Sequence, residues 1–175
     1  MELHEMVAAS YESILRALGR TLDGLTEEDL NWQPTPDCNS IGWLAWHLTR
    51  AEDSIISGIM GEEQLWIKDG WHQKFGRPAD ARDSGSGHTA KDLAAFKSPD
   101  VKTLLAYHQA VLERTKSSLP KLSKTDLDKV MEGLPFKPPP TVGMMLILGL
   151  EDGLQHAGQA AYIRGMRQGL GWQKH

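Results

Sequence analysis

An all-α four-helix bundle is the fold this sequence predicts, on three observations. Four long segments repeat apolar residues at three- and four-residue spacing, no stretch alternates with period two for long enough to make a strand, and the connections are long. The first helix is expected from about Glu2 to Leu22, with Leu3, Val7, Ile14, Leu18 and Leu22 on one stripe. A short helical turn starts at Thr26, where Thr26 and Asp29 form a capping-box-like pair. Two prolines keep the following loop, NWQPTPDCN, out of a helix. Ser40 then serves as N-cap of the second long helix, which carries Ile41, Leu44, His47, Leu48, Ala51 and Ile55 on its stripe.

From Gly61 to about Lys97 the pattern breaks into Gly, Pro, Ser and short aromatic pieces, and the pair Thr89 and Asp92 starts a short helix. A connection of this length often carries part of a site. The third long helix opens with Ser98-Pro99-Asp100, read as a Ser N-cap, Pro at the first helical position and an acid in the first turn. Its inner stripe is Val101, Leu104, Leu105, His108, Val111, Leu112 and Thr115, and Pro120 ends it. After a short helix near Asp126, the stiff segment PFKPPPT delivers the chain to the last helix, expected from Val142 to about Arg167 and stopping before Gly169. Residues 1–175 read as one domain.

Composition narrows the function classes. A hydrophobic share of 40%, a charged share of 24% and six Trp describe an ordinary soluble globule. The net charge of −4, with no basic patch, argues against a nucleic-acid partner. Cys38 is the one cysteine, which suits a reducing cytoplasm. The acidic N-terminal stretch lacks the features of a signal peptide, and the longest apolar run, Val142 to Leu150, is about half the ~20 residues a membrane span needs. A cytoplasmic protein with no membrane partner is expected.

Chemistry is concentrated on two inner faces. The last helix's stripe reads Met145, Leu148, Gly149, Asp152, His156, Ala160 and Ile163, so a carboxylate and an imidazole stand one turn apart among apolar and small residues. A buried carboxylate must be paired, protonated or bound to a metal. A plain Asp–His pair would satisfy both groups, but His47 sits on the core stripe of the second helix and aims at the same axis. His47, Asp152 and His156 together offer two nitrogens and one oxygen to a divalent ion and leave a coordination position open, the pattern of catalytic sites. His108 is a further candidate, as fourth ligand or pocket acid/base, or else as a packed residue. Cys38 reads as a thiolate ligand or, more simply, as a small hydrophobe. Arg164 and Glu52 are candidates for a second functional group, and Arg164 suits an anionic substrate or a solvated helix end. Trp43, Trp46, Trp66 and Trp71 would wall a pocket or fill the core. His4, His72, His88 and His175 read as surface. Glycines along the last helix fit close packing, or room for a ligand near Asp152.

The stretches NSIGWLAWHLTRAED, GWHQKFG, LLAYHQAVLERT and LQHAGQAAYIRGM resemble the DinB/YfiT-like superfamily of bacterial metalloproteins, and within it the mycothiol-transferase-like branch. The likeness spans nearly the whole chain, and its most specific part is His-Ala-Gly-Gln followed by Tyr-x-Arg. It implies an up-down-down-up bundle, commonly a homodimer, with one metal ion held by three side chains. Those positions fall on His47, His156 and Asp152, the last being histidine in many members and aspartate in others of the similar branch. Zinc or nickel is the implied ion, the oxygen ligand favouring a harder metal than a third imidazole would. Transfer or isomerisation with a low-molecular-weight thiol such as mycothiol or bacillithiol is the implied chemistry. Two neutral imidazoles and one carboxylate leave a divalent ion with about one positive charge, at which a bound thiol is deprotonated. Bound water would give hydrolysis instead, and a non-catalytic metal- or ligand-binding bundle is the third reading.

Overall fold

The computed structural model describes residues 1–169 and 171–173, so His175 lies outside the described residues. Four long helices form the bundle: α1 (Leu3–Leu22), α3 (Ile41–Met60), α7 (Val101–Ser118) and α9 (Val142–Gln168). Short helices decorate the connections: α2 (Glu27–Asn31), α4 (Leu65–Lys68), α5 (Trp71–Lys74), α6 (Ala90–Ala95) and α8 (Lys124–Leu127). The topology is up-down-down-up. α1 packs on α7 and α9 and stands diagonal to α3, which packs on α7 and, most extensively, on α9. Among the described residues no strand forms; Val130 and Thr141 make an isolated bridge.

Apolar stripes meet along the axis. Tyr11, Ile14, Leu18 and Leu22 from α1 pack with Leu44 and Leu48 from α3, Leu104, Val111 and Leu112 from α7, and Ala157, Ala160 and Ile163 from α9. Glycines let α9 approach α1 closely: a Cβ at Gly149 would fall 2.6 Å from Tyr11 Oη, and one at Gly153 would fall 2.8 Å from Ile14 Cδ1. Close packing, rather than ligand space, accounts for both. Leu148, expected on the inner stripe, is 38% exposed. The reason is rotational. α9 buries Val142, Met145, Leu146, Gly149 and Gly153, and the opposite side shows Met144, Ile147, Leu148, Leu154, Tyr162 and Met166 to solvent.

α3 is buried nearly all round, because the connection between residues 61 and 97 lays Trp66, Trp71, Phe75 and Phe96 over its outer side. A fully buried ionic network lies beneath that cover. Asp53 accepts hydrogen bonds from the backbone N–H groups of Leu65 (3.0 Å) and Trp66 (2.8 Å) and from the Tyr107 hydroxyl (2.8 Å). Arg50 Nη1 stands 3.6 Å from its carboxylate.

Caps define the long helices. Ser40 Oγ accepts from the Trp43 N–H, and Thr141 Oγ1 accepts from the Met144 N–H. α7 departs from the expected start, since its N-cap is Asp100 and not Ser98. Ser98 donates its hydroxyl to the Pro99 carbonyl and its N–H to Asn31, while the Asp100 carboxylate accepts from the Thr103 N–H at 2.7 Å. The anion at the helix N-terminus takes the role. No helix among the described residues is long and apolar enough to cross a membrane.

Candidate metal centre

His47 projects from α3 toward Asp152 and His156, which stand one turn apart on α9. Asp152 Oδ1 lies 3.6 Å from His47 Nε2 and 3.3 Å from His156 Nε2, and one ligand atom from each residue falls within a span of 4.8 Å. The far nitrogens are tied. His47 Nδ1 is 2.5 Å from the Ser84 carbonyl oxygen, which only accepts, so Nδ1 carries the hydrogen. His156 Nδ1 donates likewise to Gln159 Oε1 at 2.8 Å. In its neutral form each ring then turns an Nε2 lone pair on the carboxylate, an arrangement that is repulsive until a cation, or a proton on Nε2, is shared among them.

The donor set fits a divalent ion. Ligand atoms about 2.1 Å from a tetrahedral ion lie roughly 3.4 Å apart, and the two observed separations bracket that length. Asp152 Oδ2 is buried with no hydrogen-bond partner, which adds an oxygen in need of positive charge. Burial pushes the Asp152 carboxyl up, but hydrogen bonds from His156 and His47 and their charge outweigh it and hold it well below the usual carboxylate range. Burial pulls His156 down, yet its bonds with Asp152 and Gln159 leave it above the ordinary imidazole value. The side chains of His47, His156 and Asp152 are 8%, 19% and 26% exposed, so the centre opens to solvent past the α9 pair. An exchangeable ligand would enter there.

Around the ligands is a ring that holds them. Trp43 stacks on His47 with ring centres 4.7 Å apart and meets His156 edge-on at 6.5 Å. Gly85 passes so close that a Cβ there would fall 2.6 Å from Trp43 and 3.1 Å from His47 Nδ1, and its φ of +94° is a glycine conformation. His88, expected at the surface, is half-buried instead and bonds Trp43 and Asp83. His72 and His4 are also half-buried, and His72 bonds the Trp66 carbonyl. His88 is covered by Trp46 and Trp43 of α3, more than forty residues away, which local composition does not reveal.

The other candidates lie elsewhere in the contacts. Arg164 donates to the Arg20 and Thr21 carbonyls at the C-terminal end of α1 and packs on Trp172; that is a structural commitment, and no anion-binding role follows from it. Cys38 sits in its loop against the Thr35 hydroxyl, outside the metal-ligand group. Trp46 and Trp66 are wholly buried as core, and Trp71 packs on Tyr107.

His108 and Glu52 meet each other, with 4.0 Å between His108 Nδ1 and Glu52 Oε2. His108 Nδ1 lies 2.9 Å from Thr49 Oγ1, whose own hydrogen goes to the Ala45 carbonyl, so the imidazole is the donor. Its Nε2 is buried without a partner, and burial pulls its pKa down to about 4. Burial pushes the Glu52 carboxyl up to about 8; the Thr115 hydrogen bond lowers it and Asp53 raises it. The native protein thus keeps a proton on Glu52 over a range where the unfolded chain, titrating near 4.5, has lost it. That contribution to stability is lost as pH rises toward 8. His108 has the opposite sign, its contribution being lost as pH falls from 6.5 toward 4. The two slopes offset each other between 4.5 and 6.5, and above that Glu52 dominates, at about 1.4 kcal/mol per pH unit. Glu52→Gln is expected to flatten the decline between about pH 6.5 and 8, as read from urea midpoints. His156 contributes with the same sign as Glu52 but is common to both proteins. Equal slopes in the two would refute the neutral Glu52.

Two imidazoles and a carboxylate, aimed at one point from facing helices, define a bundle of the kind that builds metal sites in its interior. The chain belongs to the DinB superfamily, whose family model matches residues 11–160. It is similar to the crystal structure of a conserved protein from Enterococcus faecalis, with 27% sequence identity, a TM-score of 0.86, and coverage of 95% of this chain and 97% of that one. No curated protein is significantly similar in sequence.

Proposed function

We propose that this protein is a metal-dependent transferase that holds one divalent ion, zinc or nickel, on His47, Asp152 and His156 and acts with a low-molecular-weight thiol cosubstrate. The observation that carries the reading is Asp152 Oδ1 set between two Nε2 atoms whose rings are fixed from behind. A bound ion with about one uncompensated positive charge would supply a place where a thiol is held as thiolate, the nucleophilic form. The chain's own part is to orient the two imidazoles, keep the carboxylate ionised, and leave the α9 side open for cosubstrate and electrophile. Membership of the DinB superfamily supports the metal site, and resemblance to the mycothiol-transferase-like branch supports the thiol.

Cobalt substitution tests it. Titration of mycothiol, bacillithiol or glutathione into the cobalt-loaded protein is expected to produce an intense near-ultraviolet charge-transfer band, absent from a His47→Ala, His156→Ala double variant. Absence of the band with every thiol, alongside turnover of an ester or amide, would replace this reading with a hydrolase. Neither band nor turnover would leave a non-catalytic binding protein. The exposed apolar row on α9, from Met144 to Met166, supports a homodimer. Sedimentation equilibrium showing monomer throughout would refute that part.

A further inference from the structure

The segment from Arg77 to His88 has almost no regular structure, yet it is fastened to α3 by a chain of hydrogen bonds that ends at the metal-ligand group. Arg50, 0% exposed, donates Nε to the Asp83 carbonyl (3.1 Å) and Nη2 to the Ala81 carbonyl (3.0 Å). Arg77 clasps the Asp83 carboxylate at Oδ2 with Nη2 (2.6 Å) and Nε (3.2 Å), while its guanidinium lies 4.7 Å over the Trp46 ring. His88 Nε2 reaches Oδ1 of the same carboxylate at 3.1 Å. Both oxygens and the carbonyl of Asp83 are therefore held.

Two routes lead from Asp83 to His47. The first is through the backbone: the next residue is Ser84, and its carbonyl accepts the His47 Nδ1 hydrogen. The second is through side chains. The Trp43 indole N–H, which only donates, points at His88 Nδ1 from 3.1 Å. His88 must therefore carry its hydrogen on Nε2, where the Asp83 carboxylate receives it. His88 in turn fixes the Trp43 ring, and His47 stacks on that ring with the planes 12° apart.

We infer that Asp83 is a positioning residue of the centre, which sets both the ring plane of His47 and the tautomer that presents Nε2 to the ion. It touches neither ion nor substrate. Partners behind a metal-bound histidine commonly change metal affinity by about 10- to 100-fold. The affinity consequence rests on the proposed metal site, whereas the tautomer consequence holds for the metal-free protein.

The test uses the full chain with Asp83→Ala and reads two quantities. In metal-free protein, nitrogen-15 spectra of the histidine side chains are expected to show His47 with its hydrogen on Nδ1, and a mixture of tautomers in the variant. By competition titration, zinc affinity is expected to fall about 10- to 100-fold. His88→Phe keeps a ring beside Trp46 and removes both hydrogen bonds, so a smaller loss of the same sign is expected. It replaces Asp83→Ala as the deciding variant if the latter loses its helical circular dichroism. Parent-like affinity in a folded variant overturns the inference, and so does a lowered affinity with the His47 tautomer unchanged. If the parent itself binds no zinc, the metal reading falls, and the tautomer alone decides for or against Asp83.

Discussion

Replacing Asp53 with alanine is expected to destabilise the protein by about 3–5 kcal/mol, the usual cost of breaking a buried ion pair from one side. For a chain of this size that is a fall in midpoint temperature of roughly 10 °C. Asp53 is fully buried and serves several partners at once. It satisfies the first N–H groups of the α4 turn, receives the Tyr107 hydroxyl, and balances Arg50. Arg114 Nη1 is a second cation at 3.6 Å. Alanine would leave Arg50 buried with carbonyl and phenol partners but no anion. Asparagine keeps one acceptor oxygen and should cost less, though it too leaves the guanidinium uncompensated. Urea unfolding of both variants checks this, and an alanine variant within about 1 kcal/mol of the parent would show the network to be stabilising nothing.

Asp152→Asn is expected to weaken zinc or cobalt binding by at least about 100-fold, more than loss of an outer partner would. The amide preserves size and hydrogen-bonding reach but removes the charge that holds two imidazoles around one point. Asp152→His is expected to retain binding, since a third imidazole Nε2 offers a comparable ligand at about 2.0–2.1 Å. Calorimetric titration of the three proteins decides the role. If asparagine binds as tightly as the parent while histidine does not, Asp152 orients His156 and is no ligand.

Much of the bundle was legible because its signals are local. Capping pairs at Thr26 and Thr89, Ser40 ahead of α3, and the stripes of α3, α7 and α1 (apart from Leu3, which is exposed at the start of its helix) are written within a few residues of where they act. The grouping of His47, Asp152 and His156 was legible for a related reason: polar residues on apolar stripes must face the axis, and facing helices bring them together. The start of α7 was misplaced because Ser98 finds partners in Pro99 and Asn31, the latter far away in sequence. Leu148 was misplaced because α9 is apolar on more than one side, so periodicity alone does not give its rotation. Asp83, Ser84 and His88 carried no readable signal. Their stretch is rich in Gly and Ser, like a solvated loop, and its anchor, Arg50, stands more than thirty residues away on another element. One hint was present in the run Arg50, Glu52, Asp53, where charged residues crowd a helix whose flanks are apolar. The covering connection takes up Arg50 and Asp53, and α7 takes up Glu52.

The contact of His47 with Asp152 joins points about a hundred residues apart, and the entropy of closing so long a loop exceeds that of a short one only slightly. A cation shared at that point would fasten α3 to α9 and bridge the two halves of the chain. A disulfide would do this permanently. A rivet of imidazole and carboxylate would open when its cation is withdrawn, leaving the geometry of the bundle to its apolar packing and buried polar contacts.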